Sequence, residues 1–442
     1  MTNVNTRELV LDILMEVNEH DQYSHLVIRD VLNKYQYLEK QERAFLTRLC
    51  EGTLEHMLEM DFIINSFSKV KVKKMKPLIR NLLRMSVYQL KYMDSIPDAA
   101  VCNEAVKLAK KRGFGQLRGF VNGVLRSIAR DLAELNYPDE KLEPIAFLEV
   151  NFSLPQWIGK LWIESYGYEK AKAICESFYQ DRPITIRCNQ TKCSPLELQN
   201  RLMEEGVTVT PVNTLDYAFE ISGFDYLNGL DSFQEGWFYV QDISSMMVTE
   251  AANPGKGSYI IDVCAAPGGK SSHMAERMEG TGMVEARDLT EYKVSLIEDN
   301  IARHGLSNMM AKQQDALLLD EASVDKADIL VCDLPCSGLG VMGKKTDIRY
   351  KMTENKQKEL VQLQRSILDT VHTYVKPGGT LVYSTCTIHK EENENNVAWF
   401  LKKHPEFTLV SQSQMFPGEE FHDGFFVAKL TRGRKETYDR AD

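Results

Sequence analysis

The second half of the chain alternates strand-like and helix-like segments, and this alternation restricts the fold more than any other feature. Between positions 241 and 430, apolar β-branched runs recur between amphipathic stretches of helical period. The predicted strands are Tyr259–Val263, Met283–Ala286, Ile329–Cys332, Thr380–Ser384 and Phe425–Leu430. The predicted helices are Ser271–Met278, Glu291–Arg303, Asn355–Tyr374 and Glu394–Lys403. The pattern is typical of a Rossmann-like α/β fold, a doubly wound and mainly parallel sheet that binds ligands at the carboxyl ends of its strands.

Residues 1–135 instead show apolar side chains at helical spacing almost throughout. The clearest stripes consist of Leu9, Ile13 and Val17, of Leu78, Leu82, Met85 and Leu90, and of Val101, Ala105, Leu108 and Ala109. We therefore predict an all-α bundle with its own core. After a polar linker at 136–144, the mixed pattern of residues 146–240 predicts a small α+β, RRM-like module, followed by the α/β domain at 241–430.

Charge is distributed unevenly, although the chain as a whole has a net charge of −10. Residues 1–68 carry 12 acids and 6 bases, whereas residues 69–130 carry 15 bases and 3 acids. The runs Lys69–Arg84 and Lys107–Arg130 contain seven bases each and no acid. A one-sided positive field of this kind indicates a face that binds a polyanion, RNA or DNA.

The cysteine content and the hydropathy both indicate a cytoplasmic protein. Nine cysteines, an odd number without paired spacing, favour free thiols in a reducing compartment over a disulfide framework. No apolar run approaches the roughly 20 residues that cross a bilayer, and the N-terminus has no signal-peptide pattern. We predict a protein without a membrane partner, and we expect a monomer.

The first predicted strand of the α/β domain is followed by the small residues and glycines of Cys264–Ser272. Such a strand–helix turn allows backbone N–H groups to approach a ligand closely. A Walker phosphate loop would need glycine where the chain has Cys264, and a dinucleotide fingerprint would need its first two glycines separated by one residue. Because Gly268 and Gly269 are adjacent, neither a P-loop nor a nicotinamide site is expected.

Acidic residues follow the next two strand-like segments. Asp288 stands twenty residues after Gly268, where a carboxylate can accept both hydroxyls of a ribose, and Glu285 is a nearby alternative. Asp315 is placed to meet an adenine edge. Together these acids predict a nucleoside cofactor that has no phosphate, and S-adenosylmethionine fits this description.

Two cysteines fifty positions apart each end a predicted strand. Cys336 closes the segment ILVCDLPC, and Cys386 lies in TLVYSTCT. Because a thiolate is the strongest side-chain nucleophile near neutral pH, the pair suggests covalent catalysis, although buried cysteines also serve as small apolar fillers. A zinc site with Cys332 would have only His389 as a fourth ligand, so we predict no metal.

Three segments resemble the signature blocks of RNA 5-methylcytosine methyltransferases, and the helical part resembles the NusB-type RNA-binding domain. The three methyltransferase-like segments are DVCAAPGGK (Asp262–Lys270), DLPCSGLG (Asp333–Gly340) and YSTCTIHKEENENNV (Tyr383–Val397). The NusB-like segments are Glu51–Asp61, Leu82–Leu90, Ala99–Lys110 and Phe120–Arg126. The resemblance covers nearly the whole chain, which is similar to the bacterial branch of the family that modifies small-subunit ribosomal RNA.

The resemblance implies that Cys386 is the nucleophile and that Cys336 assists a later step. It implies contacts with S-adenosylmethionine for Cys264, Ala265, Ala266, Pro267, Gly268, Gly269, Lys270, Asp288, Asp315 and Asp333. The implied target is cytosine 967 of 16S ribosomal RNA, with another RNA such as tRNA, or a non-catalytic NusB-type RNA-binding role, as alternatives. Two departures from the family pattern are Leu334, in place of alanine, and Lys344–Thr346, in place of an Arg-Arg-Pro-like run.

Carbon 5 of cytosine is too weak a nucleophile to attack a sulfonium methyl group directly. Addition of the Cys386 thiolate at carbon 6 would convert the ring into an enamine whose carbon 5 is nucleophilic. Asp333 is the candidate acid at nitrogen 3 and would have to hold or relay a proton there. Either Cys336 or water would serve the final steps. The target base must leave its stack, so we expect a looped or splayed nucleotide.

Overall fold

The chain folds into two compact units. The computed structural model describes residues 4–180, 183–419 and 423–434. The first unit comprises Met1–Tyr179 and Met342–Thr353, and the second comprises Gln180–Val341 and Glu354–Asp442. The sequence-based boundaries 1–135, 146–240 and 241–430 remain predictions.

The first unit contains ten consecutive helices among its described residues, numbered here in chain order. They are α1 (Thr6–Glu19), α2 (Ser24–Lys34), α3 (Lys40–Glu55), α4 (Met57–Phe67), α5 (Pro77–Tyr92), α6 (Asp98–Lys111), α7 (Arg118–Asp131), α8 (Pro144–Asn151), α9 (Gln156–Tyr166) and α10 (Tyr168–Ser177). The Asn5 side chain caps α1 by accepting from the Glu8 backbone N–H at 3.1 Å, and α5 begins with proline, which needs no N–H partner there. Leu82 and Met85 of α5 lie in the core, as the helical periodicity predicts.

The second unit contains a small antiparallel sheet of order β2-β3-β1-β4. Its elements are β1 (Ile184–Cys188), α11 (Pro195–Glu204), β2 (Thr208–Pro211), β3 (Ala218–Ser222), α12 (Asp231–Gln234) and β4 (Phe238–Val240). Ser194 and Glu197 form a capping box that starts α11. The small α+β module predicted from the sequence is confirmed.

The second unit also contains a seven-stranded sheet of order β10-β11-β9-β8-β5-β6-β7. Its strands are β5 (Tyr259–Asp262), β6 (Met283–Asp288), β7 (Met309–Gln313), β8 (Ala327–Asp333), β9 (Val375–Thr385), β10 (Phe407–Met415) and β11 (Phe425–Arg432). The associated helices are α13 (Ile243–Ala252), α14 (Gly269–Arg277), α15 (Glu291–His304), α17 (Glu354–Val371) and α18 (Glu394–Lys403). Strands β5 to β9 pair in parallel, whereas β10 and β11 are antiparallel.

The strand order places the sequence motifs side by side. The connection after β5 lies beside the end of β6, and the connections after β8 and β9 are neighbours. Because parallel strands share one carboxyl edge, all four connections meet there. All five predicted strands and four predicted helices of this region are present. Strand β10 was not predicted, because its middle, Ser411–Ser413, is polar and exposed at the sheet edge.

The short helix α16 (Ile348–Lys351) belongs to the first unit and lies in the segment that follows the Cys336 loop. Within that unit the buried Arg349 donates to the Phe152 carbonyl at 2.9 Å, and Asp347 accepts from the Ser24 hydroxyl at 2.6 Å. Among the described residues, no helix has the length and apolarity that a membrane crossing requires.

Candidate active site

The two cysteines meet at the carboxyl edge of the large sheet. Strands β8 and β9 pair with Asp333 opposite Ser384, so the residues that follow these strands come together. The sulfur atoms of Cys336 and Cys386 lie 3.2 Å apart, and both side chains are half-buried. The sequence predicts two cysteines at one sheet edge, and the structure brings them into contact.

A buried glutamate holds the loop that carries Cys336. Glu392 is fully buried, accepts from the Ser337 backbone N–H at 2.8 Å and also accepts from the Ser337 hydroxyl. Gln364 of α17 donates to the same carboxylate at 3.0 Å and to the Pro335 carbonyl at 2.9 Å. Sequence reasoning assigned no role to either residue, because a glutamate within EENENN has the composition of a solvated surface turn.

An asparagine holds the Cys386 segment in the same way. Asn393 is fully buried, and its side-chain oxygen accepts from the Thr385 hydroxyl at 2.5 Å. Its amide nitrogen donates to the Thr387 carbonyl at 3.0 Å. The residues on either side of Cys386 are therefore fixed by one side chain that sequence reasoning did not single out.

Gly340 closes the Cys336 loop against two other segments. Its backbone N–H donates to the Cys386 carbonyl at 3.1 Å, and its carbonyl accepts from the Gly424 N–H at 2.9 Å. A Cβ atom at position 340 would lie 1.9 Å from the Gly424 oxygen. Only glycine permits this close approach of backbones.

An ion pair lies beside the cysteines. The Lys270 ammonium donates to one oxygen of Asp333 at 2.7 Å, and the Ser384 hydroxyl donates to the other at 2.8 Å. Burial disfavours the charge on Lys270, but Asp333 together with Cys386 and Asp262 outweighs this cost and raises the pKa of the ammonium. The structure thus supplies Asp333 with a protonated partner.

The surroundings of Cys336 favour the protonated form of its thiol. The hydrogen bond with Cys386 and then burial raise the pKa of the Cys336 thiol well above its ordinary value. Cys336 therefore keeps its proton at neutral pH, and the two sulfur atoms are close enough to share a hydrogen bond in which either can be the donor.

The segment Cys264–Lys270 forms the turn between β5 and α14. Gly268 has φ +103°, a left-handed conformation that favours glycine. The Ala266 N–H donates to the buried Asp288 carboxylate at 3.0 Å, and Lys293 pairs with the same group at 2.9 Å. The glycine turn and Asp288, linked in the sequence only by spacing, are neighbours in the structure.

The alternative to Asp288 is engaged elsewhere. Glu285 accepts from the Tyr259 hydroxyl at 2.5 Å and from the Arg287 guanidinium at 2.8 Å. Asp315 follows β7 and is half-buried, and its carboxylate accepts from the Leu317 backbone N–H at 2.9 Å. Of the two candidates for a ribose partner, only Asp288 is hydrogen-bonded to the turn.

The comparisons with known proteins agree along the whole chain. Residues 249–431 match the family described as 16S rRNA methyltransferase RsmB/F, residues 4–130 match the NusB family, and residues 154–224 match the ferredoxin-like domain of RsmF/B-like methyltransferases. The chain is 37% identical to the probable ribosomal RNA small subunit methyltransferase B of Bacillus subtilis (strain 168), covering 98% of this chain and 100% of the relative. The chain belongs to the RsmB/F methyltransferase family.

Other relatives and solved structures are consistent with this family. Identity to the ribosomal RNA small subunit methyltransferase B of Citrobacter koseri is 31%, covering 98% of this chain and 100% of the relative. The fold matches the crystal structure of PH0851 with a TM-score of 0.83 and 27% identity, covering 98% of this chain and 99% of that one. A structure of NSun6 from Pyrococcus horikoshii with SFG has a TM-score of 0.58 at 23% identity, over 64% of this chain and 99% of that one, and shows the fold alone.

As a member of the RsmB/F family, the chain is an S-adenosylmethionine-dependent RNA (cytosine-5) methyltransferase, as predicted. The turn fits such a ligand. At Gly268 the turn exposes only backbone, with no side chain to block a ligand. The buried Asp288 carboxylate at the end of β6 can accept hydrogen bonds from the hydroxyl groups of a ribose. A purely binding role for the chain, one of the alternatives considered, is excluded by its family.

Two buried groups that sequence reasoning did not single out support the Cys264–Lys270 turn of this RsmB/F family member. Burial raises the pKa of Asp262 to about 7, and the carboxyl group lies 2.5 Å from the Ser271 hydroxyl. Arg187 of β1 is fully buried and donates to the Gly269 carbonyl and to Glu276, each at 2.8 Å. The isolated sequence ITIRCN contains no signal that its arginine points into a core.

Proposed function

We propose that the enzyme methylates carbon 5 of cytosine 967 in 16S ribosomal RNA through a transient bond between Cys386 Sγ and carbon 6. The contact of 3.2 Å between Cys386 and Cys336, beside the Lys270–Asp333 ion pair, carries the proposal. The small-subunit target is supported by the relatives of Bacillus subtilis and Citrobacter koseri, which are named for it.

Cys386 acts as the nucleophile. The protonated Cys336 thiol donates a hydrogen bond to the Cys386 sulfur and so stabilises its thiolate form. Asn393 fixes the backbone around Cys386, which holds the sulfur in one position at the sheet edge. Attack at carbon 6 makes carbon 5 electron-rich, and covalent catalysis thereby divides one difficult step into easier ones.

Lys270 and Asp333 stabilise the charge that develops on the pyrimidine. The sequence alone suggested that Asp333 itself must hold or relay a proton. The ion pair supports a relay in which Asp333 contacts nitrogen 3 and Lys270 supplies the proton. Ser384 orients the carboxylate through its second oxygen.

Cys336 acts after the methyl group has been transferred. Once Cys386 is bonded to carbon 6, it no longer carries a charge, so the largest cause of the raised pKa of Cys336 disappears. Cys336 can then release its own proton to solvent and, as a thiolate, accept the proton from carbon 5. The electron pair of the broken carbon–hydrogen bond re-forms the carbon 5–carbon 6 double bond, and Cys386 leaves carbon 6 as a thiolate. Water is the alternative base.

S-adenosylmethionine, when bound, supplies the methyl group. Asp288 binds its ribose, Asp315 faces its adenine, and Asp333 and the segment Cys264–Lys270 line the rest of the site. Asp288 stands directly beside the turn, and its hydrogen bond with Ala266 supports this assignment.

The basic face of residues 69–130 binds structured RNA through its phosphates. Lys73 and Lys74 are exposed, and in the part of the chain that the structure describes they form no ion pair. Lys111, by contrast, pairs with Glu8 at 2.6 Å. Phosphate contacts position the substrate without selecting the base, so base choice rests with the cysteine site. We further propose that the enzyme is monomeric and cytoplasmic.

The target is tested by bisulfite sequencing of ribosomal RNA and tRNA from a strain that lacks this gene. We expect one cytosine of small-subunit RNA to lose its 5-methyl group, and we expect the wild-type gene, but not Cys386→Ser, to restore it. If only a tRNA position changes, the ribosomal assignment is wrong while the chemistry stands.

A further inference from the structure

Three potential metal ligands converge in the second unit, away from the cysteines. His372 lies in a 3₁₀ turn just before β9, and His404 and Glu406 connect α18 to β10. Glu406 Oε1 lies 3.9 Å from His372 Nε2 and 3.8 Å from His404 Nδ1, and the three ligand atoms lie within 4.8 Å of one another. The cluster stands at the amino end of β9, whereas Cys386 follows its carboxyl end.

The hydrogen bonds of the two imidazoles determine which nitrogen atoms carry hydrogen. His372 Nδ1 is 3.2 Å from the Leu368 carbonyl, and His404 Nε2 is 2.9 Å from Asp369 Oδ1. Both partners can only accept, so these nitrogens are the donors, and His372 Nε2 and His404 Nδ1 retain lone pairs. The lone pairs face the Glu406 carboxylate, which is also an acceptor. Three acceptors directed at one point attract a cation.

The packing around the rings keeps this arrangement in place. The ring centroids of His372 and His404 lie 3.9 Å apart, and Phe400 and Phe407 pack around them. His404 is nearly buried, whereas Glu406 is 41% exposed on its side chain. The carboxylate is therefore the most exposed of the three ligand groups.

We propose that His372 Nε2, His404 Nδ1 and Glu406 bind a divalent transition-metal ion, with water as the fourth ligand. Zn²⁺ is the ion that this set of ligands suits best. A tetrahedral Zn²⁺ ion with ligands at about 2.0–2.1 Å needs donor atoms roughly 3.4 Å apart. The observed separations of 3.8 and 3.9 Å exceed that value by roughly 0.5 Å, and the two imidazole nitrogens lie within 4.8 Å of each other, so binding would require small movements of Glu406 and of the imidazoles. Asp369 and the Leu368 carbonyl provide the outer hydrogen bonds that ligating histidines usually have. The site would join two connections at the amino end of β9, and it revises the sequence-based expectation of no metal.

The test measures Zn²⁺ binding to the full-length protein by competition with a chromophoric chelator. We expect one equivalent to bind to the wild type and to Cys336→Ala/Cys386→Ala, which excludes the catalytic thiols as the site. His372→Asn and Glu406→Gln should each weaken binding at least tenfold, and Asp369→Asn by roughly 10–100-fold. His20→Asn, which removes an exposed histidine paired with Glu16, is the matched control and should bind as the wild type does.

Thermal unfolding provides the second readout. Added Zn²⁺ should raise the Tm of the wild type and of His20→Asn but not that of Glu406→Gln, because a ligand stabilises only the state that binds it. Glu406→Gln alters a partly exposed side chain, so the variant should fold. Binding by His372→Asn and Glu406→Gln as tight as that of the wild type, or no binding by the wild type, would overturn the proposal.

Discussion

At the scale of single residues, the site is a set of charges whose protonation depends on burial and on one another. Lys270 is half-buried and paired with Asp333, and the hydrogen bond with Cys386 together with burial raises the pKa of Cys336. Asp262 lies beneath the turn and titrates near neutral pH because burial disfavours its charge. Lys270 and Asp262 each lead to a prediction that can be measured.

Replacement of Lys270 by methionine removes the proton source while it preserves much of the side-chain volume. We expect the rate of methyl transfer to fall by about 10²–10⁴-fold, the usual contribution of a positioned acid. Lys270→Arg keeps the charge but cannot release a proton, so it should also lose most of the activity. Equal rates for Lys270→Met and the wild type in single-turnover assays would exclude Lys270 from the proton relay.

Asp262 makes stability depend on pH with a definite sign. Its pKa rises from 3.8 to about 7 on folding. The contribution of this carboxyl group to the stability of the fold is therefore complete below pH ~4 and is lost as the pH rises through about 7. The free energy of unfolding of Asp262→Asn, measured relative to that of the wild type, should therefore increase by up to ~4 kcal/mol between pH 4 and pH 8. Urea denaturation at several pH values measures the gain, and the exposed Asp299→Asn is the control. A constant difference across this pH range would contradict the assigned pKa.

At the scale of elements, the site depends on how closely loops approach one another. The Cys336 loop is held by Glu392 from the segment after β9 and by the backbone of Gly340. Neither contact could be read from the sequence. The segment EENENN has the composition of a solvated turn, and a glycine after a strand does not by itself indicate a close contact between backbones.

Gly340→Ala tests the close packing of the loops. Its Cβ would overlap the Gly424 oxygen, so the Cys336 loop must shift, and a displacement near 1 Å costs about 10²-fold in rate. Gly255→Ala, where the nearest atom to the new Cβ is 3.7 Å away, should leave the rate unchanged. Methyl transfer assays on both variants, with circular dichroism to establish folding, make the comparison. A fully active Gly340→Ala enzyme would show that the loop position is not critical.

The strands that carry the site were predictable, whereas the side chains that support them were not. β5, β8 and the second half of β9 are mainly apolar runs, and their parallel order follows from the alternation with helices. The resemblance, rather than the pattern, supplied the roles of Cys386 and Cys336. Arg187 and Glu392 escaped notice because a buried charge depends on partners that are distant in the sequence.

At the scale of the whole molecule, the uneven charge and the catalytic edge belong to different compact units. The sequence predicted the basic stretch, and the structure shows which of its side chains are available. Arg84 is buried in a pair with Asp61, and Arg80 pairs with Glu19, so these two bases serve the fold. The exposed lysines around Lys73 are among the bases that remain for RNA, as are Lys110, Arg118 and Arg126.

Lys73→Gln/Lys74→Gln should weaken RNA binding without changing which cytosine is methylated. For every lysine–phosphate interaction that the substitutions remove, the slope of log K against log salt should fall in magnitude by about 1. Lys402→Gln, an exposed lysine of the second unit, is the control and should leave the slope unchanged. Fluorescence anisotropy at several salt concentrations provides the data. An unaltered slope in the double variant would remove these lysines from the RNA-binding face.

The covalent bond from Cys386 to the pyrimidine is the central claim, and a denaturing gel with labelled RNA tests it most directly. We expect Cys336→Ala to accumulate a protein–RNA adduct, because release of the methylated base is impaired, and we expect Cys386→Ser to form none and to lose more than about 10³-fold in rate. Cys102→Ala, which removes a thiol from the first unit, should behave as the wild type does. Methylation at the wild-type rate by Cys386→Ser would contradict the account.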